Sequence, residues 1–353
     1  MKRFKIAMLM AALALGLTAN AQYVTSHAKI SMPGQQNGLY YALPRTVVQL
    51  DFIIEEIELV KGPYSQFAYL VGADDYVTED GVEYRLAEVR MGTYAEADPN
   101  ATFFVAFNGR RGNETTFSLT PQGILQGIGT EPAPMMEQPA LPAPTTPIPS
   151  VDRTFRYQYG SNGLRSTEQL ANSAAEMVNR IREEKIKLIT GFQETAFTLD
   201  TYRQMLADLD AMENEYLSLF LGKRIVTTTV RTVCITPSKE VPTQTIGKFS
   251  TATGFTTDLT QNGTVITLQA LSLNTTGNIN EPSTSTVESL SHQNKLFYRI
   301  PETAQIKVSM GDEMLLERRE TIAQFGVFML APLGNTKMTL DPYTGQITSM
   351  GME

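Results

Sequence analysis

The sequence predicts an α+β fold: two β-rich domains bridged by an antiparallel α-helical hairpin, with a repeat that points to internal duplication. Three observations predict it. Residues 166–222 place apolar side chains at helical spacing and contain no proline. The chain on either side alternates apolar and polar residues with the period of strands. Leu39-Tyr40-Tyr41-Ala42-Leu43-Pro44-Arg45-Thr46 before the helical stretch is matched after it by Leu296-Phe297-Tyr298-Arg299-Ile300-Pro301-Glu302-Thr303.

The chain opens Met1-Lys2-Arg3-Phe4-Lys5, runs apolar over 6–17, and reaches small residues at Ala19 and Ala21. This is the pattern of a secretory signal peptide over residues 1–21, with cleavage expected between Ala21 and Gln22. The apolar run is too short to span a bilayer, and no later stretch is long enough, so no transmembrane segment is expected in the mature chain. The net charge is −8, and the leader holds three bases and no acid, so the mature chain is more acidic still. That argues against nucleic acid and against an anionic membrane surface as partners. Cys234 is the single cysteine, so no internal disulfide can form; its place in Val230-Arg231-Thr232-Val233-Cys234-Ile235 predicts a small buried strand residue.

The first β-rich domain is assigned to 22–130. Val48, Leu50, Phe52 and Ile54 alternate, then the apolar phase moves to Ile57 and Leu59, which predicts a bulge near Glu55. Strands at 102–107 and 114–119 flank a Gly- and Asn-rich stretch and read as a hairpin. Residues 131–150 hold seven of the 18 prolines and read as a linker. Over 151–165, Phe155, Tyr157 and Tyr159 alternate and predict a strand leading into the helices. Within 166–222, Ser166-Thr167-Glu168-Gln169 has the capping-box form, and Thr198 or Asp200 can cap the second helix. Glu176 with Arg180, and Glu183 with Lys187, are spaced to pair along the first helix. The second β-rich domain is assigned to 223–353, with strands expected over 224–235, 244–250, 264–273, 296–310 and 323–330.

The repeat extends to Gln66-Phe67-Ala68 against Gln324-Phe325-Gly326, and to Ser118-Leu119-Thr120-Pro121 with Gly123 against Thr339-Leu340-Asp341-Pro342 with Gly345. Aligned on Pro44 and Pro301, the two strand alternations run one residue out of phase, which a bulge in one copy would reconcile.

Little in the sequence announces chemistry. His27 and His292 fall in polar stretches and read as surface residues. No His, Cys, Asp or Glu grouping has metal-ligand spacing, and Asp74-Asp75 with Glu79-Asp80 reads as a solvated acidic loop. There is no nucleophile elbow, phosphate-cradling loop or nucleotide fingerprint, and no cofactor is expected. Binding is therefore expected over catalysis. The alternatives are a carboxylate-dependent hydrolase, which needs two facing acids in a pocket between strands, and carbohydrate or peptide capture on a sheet edge with Tyr157 and Tyr159 as the platform.

Several stretches together resemble the domain of unknown function 4831 family of exported Bacteroidetes proteins. They are Gly38 through Thr46, Gly62-Pro63-Tyr64, Tyr216 through Gly222, Lys248-Phe249-Ser250, Phe297 through Pro301, and Ala323-Gln324-Phe325-Gly326. The proline-rich 131–150 segment stands outside that pattern. The resemblance implies an exported protein, in the periplasm or at the surface of a Gram-negative cell, with no assigned activity and no catalytic residues to carry over.

Antiparallel pairing of the two helices divides their apolar residues. Leu217, Phe220 and Leu221 fall at the base, where a β-domain would cover them. Ile186, Phe192, Phe197 and Leu206 fall toward the tip, outside the paired stripes, and are the candidate contact for a protein partner in the envelope. The competing expectation is that this tip folds back onto a β-domain.

Overall fold

The structure is a computed structural model. It describes residues 23–28, 37–107, 116–130, 153–157, 165–190, 198–277, 279, 292–334 and 336–352. The Ala21–Gln22 cleavage site, the proline-rich segment, Tyr159, Phe192 and Phe197 lie outside these residues.

Two long antiparallel hairpins organise the protein. The first pairs β2 (Gly38–Val60) with β3 (Gly81–Phe107), and the second pairs β11 (Lys295–Met310) with β12 (Glu313–Pro332). The first sheet has the order β10-β1-β3-β2-β6, adding β1 (Tyr23–His27), β6 (Lys223–Ile235) and β10 (His292–Gln293). The second has the order β12-β11-β9-β7-β8, adding β7 (Thr243–Ser250), β8 (Gly254–Thr256) and β9 (Thr264–Ser272). The third has the order β14-β13-β5-β4, built from two short hairpins: β4 (Phe117–Leu119) with β5 (Leu125–Ile128), and β13 (Thr336–Leu340) with β14 (Ile347–Met352).

Each long hairpin serves two cores. Past Pro44, the β2 residues Val48, Leu50, Phe52 and Ile54 pack against Ile246, Phe249, Ile266, Leu268, Ile306 and Val308 of the second sheet. Before Pro44, Tyr41 and Leu43 join Phe103, Val105, Leu296, Phe297 and the third sheet's Leu125, Ile128, Met338 and Leu340. The prolines mark the change of core. Between Ala42–Thr102 and Pro44–Ala97, two steps along β2 face five along β3. Between Ile300–Val327 and Glu302–Ile322, two steps along β11 again face five along β12. Extra residues on one strand bend it and re-aim its side chains. The backbones come very close here: a Cβ on Gly326 would stand 1.8 Å from the Ile300 carbonyl oxygen. The bulge expected near Glu55 is present as a register shift between Ile53 and Ile54.

Side chains replace missing strands at the crossing. β9 pairs with β11 only from Ala304 onward, and β6 reaches β2 only from Val48 onward. The Tyr41 hydroxyl accepts from the Phe297 amide (3.1 Å) and donates to the Phe297 carbonyl (3.3 Å). In return, the Gln324 amide accepts from Thr46 N (2.8 Å) and donates to Thr46 O (2.9 Å). Between these sits a buried ion pair: Arg299 Nη2 meets Asp98 Oδ2 at 3.0 Å, Arg299 Nη1 donates to the Pro44 carbonyl, and the guanidinium lies over the Phe328 ring.

Several expectations are corrected. The line between a first and a second β-rich domain is crossed by the sheets: β6 pairs with β2, β13 with β5, and β1 with β10. The reason is the crossing itself, which forms both cores between the two long hairpins. The 102–107 and 114–119 segments do not pair as a hairpin, because β1 and β2 already occupy both edges of β3 there; β4 lies in the third sheet. Residues 153–157 form no strand; Tyr157 lies face to face with Tyr216, ring centroids 4.6 Å apart. Gln66-Phe67-Ala68 lies in a 3-10 helix (Ser65–Val71) while Gln324-Phe325-Gly326 lies in β12, so that part of the repeat has no structural counterpart. His27 is buried, with its ring Nε2 3.0 Å from the Asn100 carbonyl and an edge contact to Phe103. Cys234 is exposed, because it stands on the outer face of edge strand β6.

Replacing Arg299 with Met leaves Asp98 buried without its cation. The expected loss is about 3–5 kcal/mol in urea unfolding. Gln324→Leu is expected to cost about 1–3 kcal/mol by stripping both backbone groups of Thr46.

Candidate functional site

Helices α1 (Thr167–Thr190) and α2 (Leu199–Leu221) follow the local chemistry of their ends. Gln169 N donates to Ser166 Oγ at 3.2 Å while Ser166 N donates to Gln169 Oε1 at 3.0 Å, a closed capping box. Thr198 Oγ1 accepts from Thr201 N at 3.3 Å at the start of α2. The helices run antiparallel side by side. Arg182 meets Glu213 at 2.7 Å and Lys185 meets Asp210 at 2.5 Å, so a step forward on one is a step back on the other. Along α1, Lys187 meets Glu184 at 2.7 Å. The linking residues 191–197 lie outside the described residues.

The pair forms an arm fixed at one end. Leu170, Ala171, Ala174, Ala175, Val178, Ile181, Tyr216, Leu219 and Phe220 make a core of their own with Tyr64 and Ala68 of the 3-10 segment. The base is therefore covered by residues 64–71, a 3-10 segment within the stretch 22–130 assigned as the first β-rich domain. Tyr64 N donates to the Leu219 carbonyl (2.8 Å), and Val77 N to the Leu221 carbonyl (2.8 Å), tying the end of α2 to that segment. Beyond Ile181 the only buried apolar side chain on α1 is Leu188, and α2 buries only Tyr216, Leu219 and Phe220. At about 1.5 Å per residue, the 24-residue α1 reaches roughly 36 Å.

Of the four predicted contact residues, Ile186 is exposed, at 61%, and Leu206 is half-buried. Phe192 and Phe197 lie outside the described residues. Two further residues belong with them: Ile189 and Leu199 are each 63% exposed. Helical spacing admits both Leu188 and Ile189 to the seam, but neighbours on a helix point about 100° apart, and only Leu188 is buried there. An open cleft of about 320 Å³ runs between the helices near this end, lined by Glu184, Leu188, Met205, Asp208 and Leu209.

Three buried carboxylates elsewhere are tied into structure. Asp51 accepts from Thr232 Oγ1 (2.6 Å) and Asp98 is held by Arg299. Glu302 accepts from Ser272 Oγ (2.5 Å), Lys239 Nζ (2.9 Å), Thr276 Oγ1 (3.0 Å) and Thr275 N (3.1 Å). Burial opposes its ionisation, but the hydrogen bonds from Ser272, Lys239 and Thr276 win and hold its carboxyl below the usual glutamate range. Tyr94 sits beside Cys234; burial foremost, then its hydrogen bond with that thiol and the nearby Glu96, pushes its hydroxyl up to about 12. Asp75 pairs with Arg224 at 2.6 Å, and Asp80 accepts from Lys61 N. Among the described residues no group of three His, Cys, Asp or Glu could hold a metal ion. No helix among them is long and apolar enough to cross a membrane. Tyr157 is half-buried, with one ring face stacked on Tyr216.

These features define a three-sheet β-rich protein with a two-helix arm, whose distinctive residues serve as joints. The chain belongs to the family described as a domain of unknown function (DUF4831), which it matches over residues 37–348. No curated protein and no solved structure matches it. The family-resembling stretches meet in pairs: Gly62-Pro63-Tyr64 seats the end of α2, and the Tyr41–Thr46 run meets both Phe297–Arg299 and Ala323–Gln324.

Ile186→Asp and Leu199→Asp are each expected to change stability by less than about 0.5 kcal/mol in urea unfolding. Phe220→Ala at the base is expected to cost about 3–5 kcal/mol. Glu302 adds a pH signature. Its pKa is lower folded than unfolded, so its contribution is full above the unfolded value, about 4.3, and is lost as pH falls below it. Glu302→Gln is expected to flatten the acid limb of the stability–pH curve measured by urea titration.

Proposed function

We propose that this is an exported envelope protein that acts by binding a protein partner, with the free end of its helical hairpin as the contact. The observation that supports the reading is the exposure of Ile186, Ile189 and Leu199 on an arm whose own core lies at its base. Isolated exposed apolar residues are ordinary; three toward the same end of the helical pair support a contact there. Burying each such side chain contributes about 1.5–3 kcal/mol, enough for a modest contact. The leader over residues 1–21 and the acidic mature chain support export and a protein partner over nucleic acid.

We propose in addition that the body arose by duplication of a unit made of one long and one short hairpin. Matching two-against-five irregularities at Pro44 and Pro301 support this. So do the short hairpins, whose turns hold Gly123 and Gly345 at φ 82° and 76°. Aligned on the irregularity in place of the proline, Val48 and Leu50 fall on Ile306 and Val308, which removes the one-residue slip of phase.

Affinity capture from envelope extract, with the mature chain and with an Ile186→Asp/Leu199→Asp double variant as baits, tests the contact. The variant is expected to lose the proteins that the unaltered chain retains; equal recovery by both would discard the arm's end as the contact. Amino-terminal sequencing of the exported protein is expected to begin at Gln22.

A further inference from the structure

Each sheet ends in two edge strands, and an edge presents a row of unpaired backbone groups that other chains can extend. Five of the six are short or guarded. β10, β8 and β4 have two, three and three residues, and β14 has six. β12 is long, but it shifts register twice against β11, carries Glu317-Arg318-Arg319-Glu320, and is tied to β2 through Gln324 and Ala323.

Of these guards β6 carries only charge, as three cations. It runs thirteen residues, pairs with β2 at every position without a register shift, and contains no proline or acid. Among the described residues no strand pairs with its outer edge. Two of its three cations are already engaged: Lys223 by Glu215 and Arg224 by Asp75.

The sequence of β6 says what fits that edge. Val226-Thr227-Thr228-Thr229-Val230 reads the same in both directions. A two-fold axis perpendicular to the sheet at Thr228 sets the strand antiparallel to its own copy and keeps each side chain on its face. It places Val226 opposite Val230, Thr227 opposite Thr229, and Thr228 opposite itself. Arg231 then faces Ile225, Arg224 faces Thr232 and Lys223 faces Val233, so no like charges meet. Moving the axis one residue toward the amino end sets Lys223 against Arg231. Cross-strand β-branched and Thr–Thr pairs are favourable, and like charges directly opposite are not. We propose that the outer edge of β6 is the interface between two copies of this chain, joined antiparallel about Thr228 into one continuous ten-stranded sheet. The interface does not include Ile186, Ile189 or Leu199.

Sedimentation of the mature protein over a concentration series tests this, with circular dichroism to confirm folding. The unaltered chain is expected to dimerise. Thr228→Asp and Thr228→Lys each set like charges against one another on the axis, so each alone is expected to be monomeric. An equimolar mixture of the two is expected to recover the dimer. The Ile186→Asp/Leu199→Asp variant is expected to dimerise as the unaltered chain does. As a second test that adds no charge, Val226→Cys with Val230→Cys in a Cys234→Ser background is expected to give a disulfide-linked dimer on mild oxidation. An unaltered chain that stays monomeric at every concentration, a dimer that Thr228→Asp leaves intact, or no cross-link between positions 226 and 230 would each overturn the proposal.

Discussion

The structure depends on how buried backbone is satisfied where the two long hairpins cross. A buried amide or carbonyl without a partner costs as much as a lost hydrogen bond. At this crossing the neighbouring strands stop short: β9 begins to pair at Ala304 and β6 ends opposite Val48. One side chain from each hairpin fills the gap on the other. The Tyr41 hydroxyl serves both backbone groups of Phe297, and the Gln324 amide serves both of Thr46. Burial pushes the Tyr41 hydroxyl's pKa far up, so it stays protonated and can donate and accept at once. Arg299 and Asp98 close the same region with a buried ion pair.

This reciprocity explains why the two cores are shared. A hairpin that changes core at its proline cannot complete either core alone, and each core takes residues from both hairpins. The helical arm stands apart from this logic. Its buried residues pack among themselves and on the 64–71 segment, apart from both cores of the sheets. β6 joins the body's logic at one end, where Ile235 and Val233 pack in the first core; among the described residues no strand pairs with its outer edge.

Much of the fold was legible where local chemistry decides it. The capping box at Ser166, the Thr198 cap, and the strands at 38–60, 223–235 and 295–310 follow from spacing and propensity. Most of β3 and the first half of β12 were not, because Glu83, Arg85, Glu88 and Arg90, and Glu317 through Glu320, mask the period-two signal with charge. The sharing of cores was hidden for another reason: strand partners such as β6 with β2 are set by tertiary contacts far apart in sequence. The repeat at Pro44 and Pro301 was visible, but its one-residue slip became intelligible only once the irregularities themselves were located. At the candidate site, Ile186 was legible from its place opposite the helix seam. Ile189 and Leu199 were obscured, the first by a neighbouring seam residue and the second by its place beside the cap.

Native-state hydrogen exchange at the crossing tests the central claim most directly. The amides of Phe297 and Thr46, bonded to side chains and not to strands, are predicted to exchange only through global unfolding, with the same free energy as mid-strand amides of β2 and β11. Exchange of these two amides through local opening, well below the global free energy, would contradict the account and make the two cores separable units.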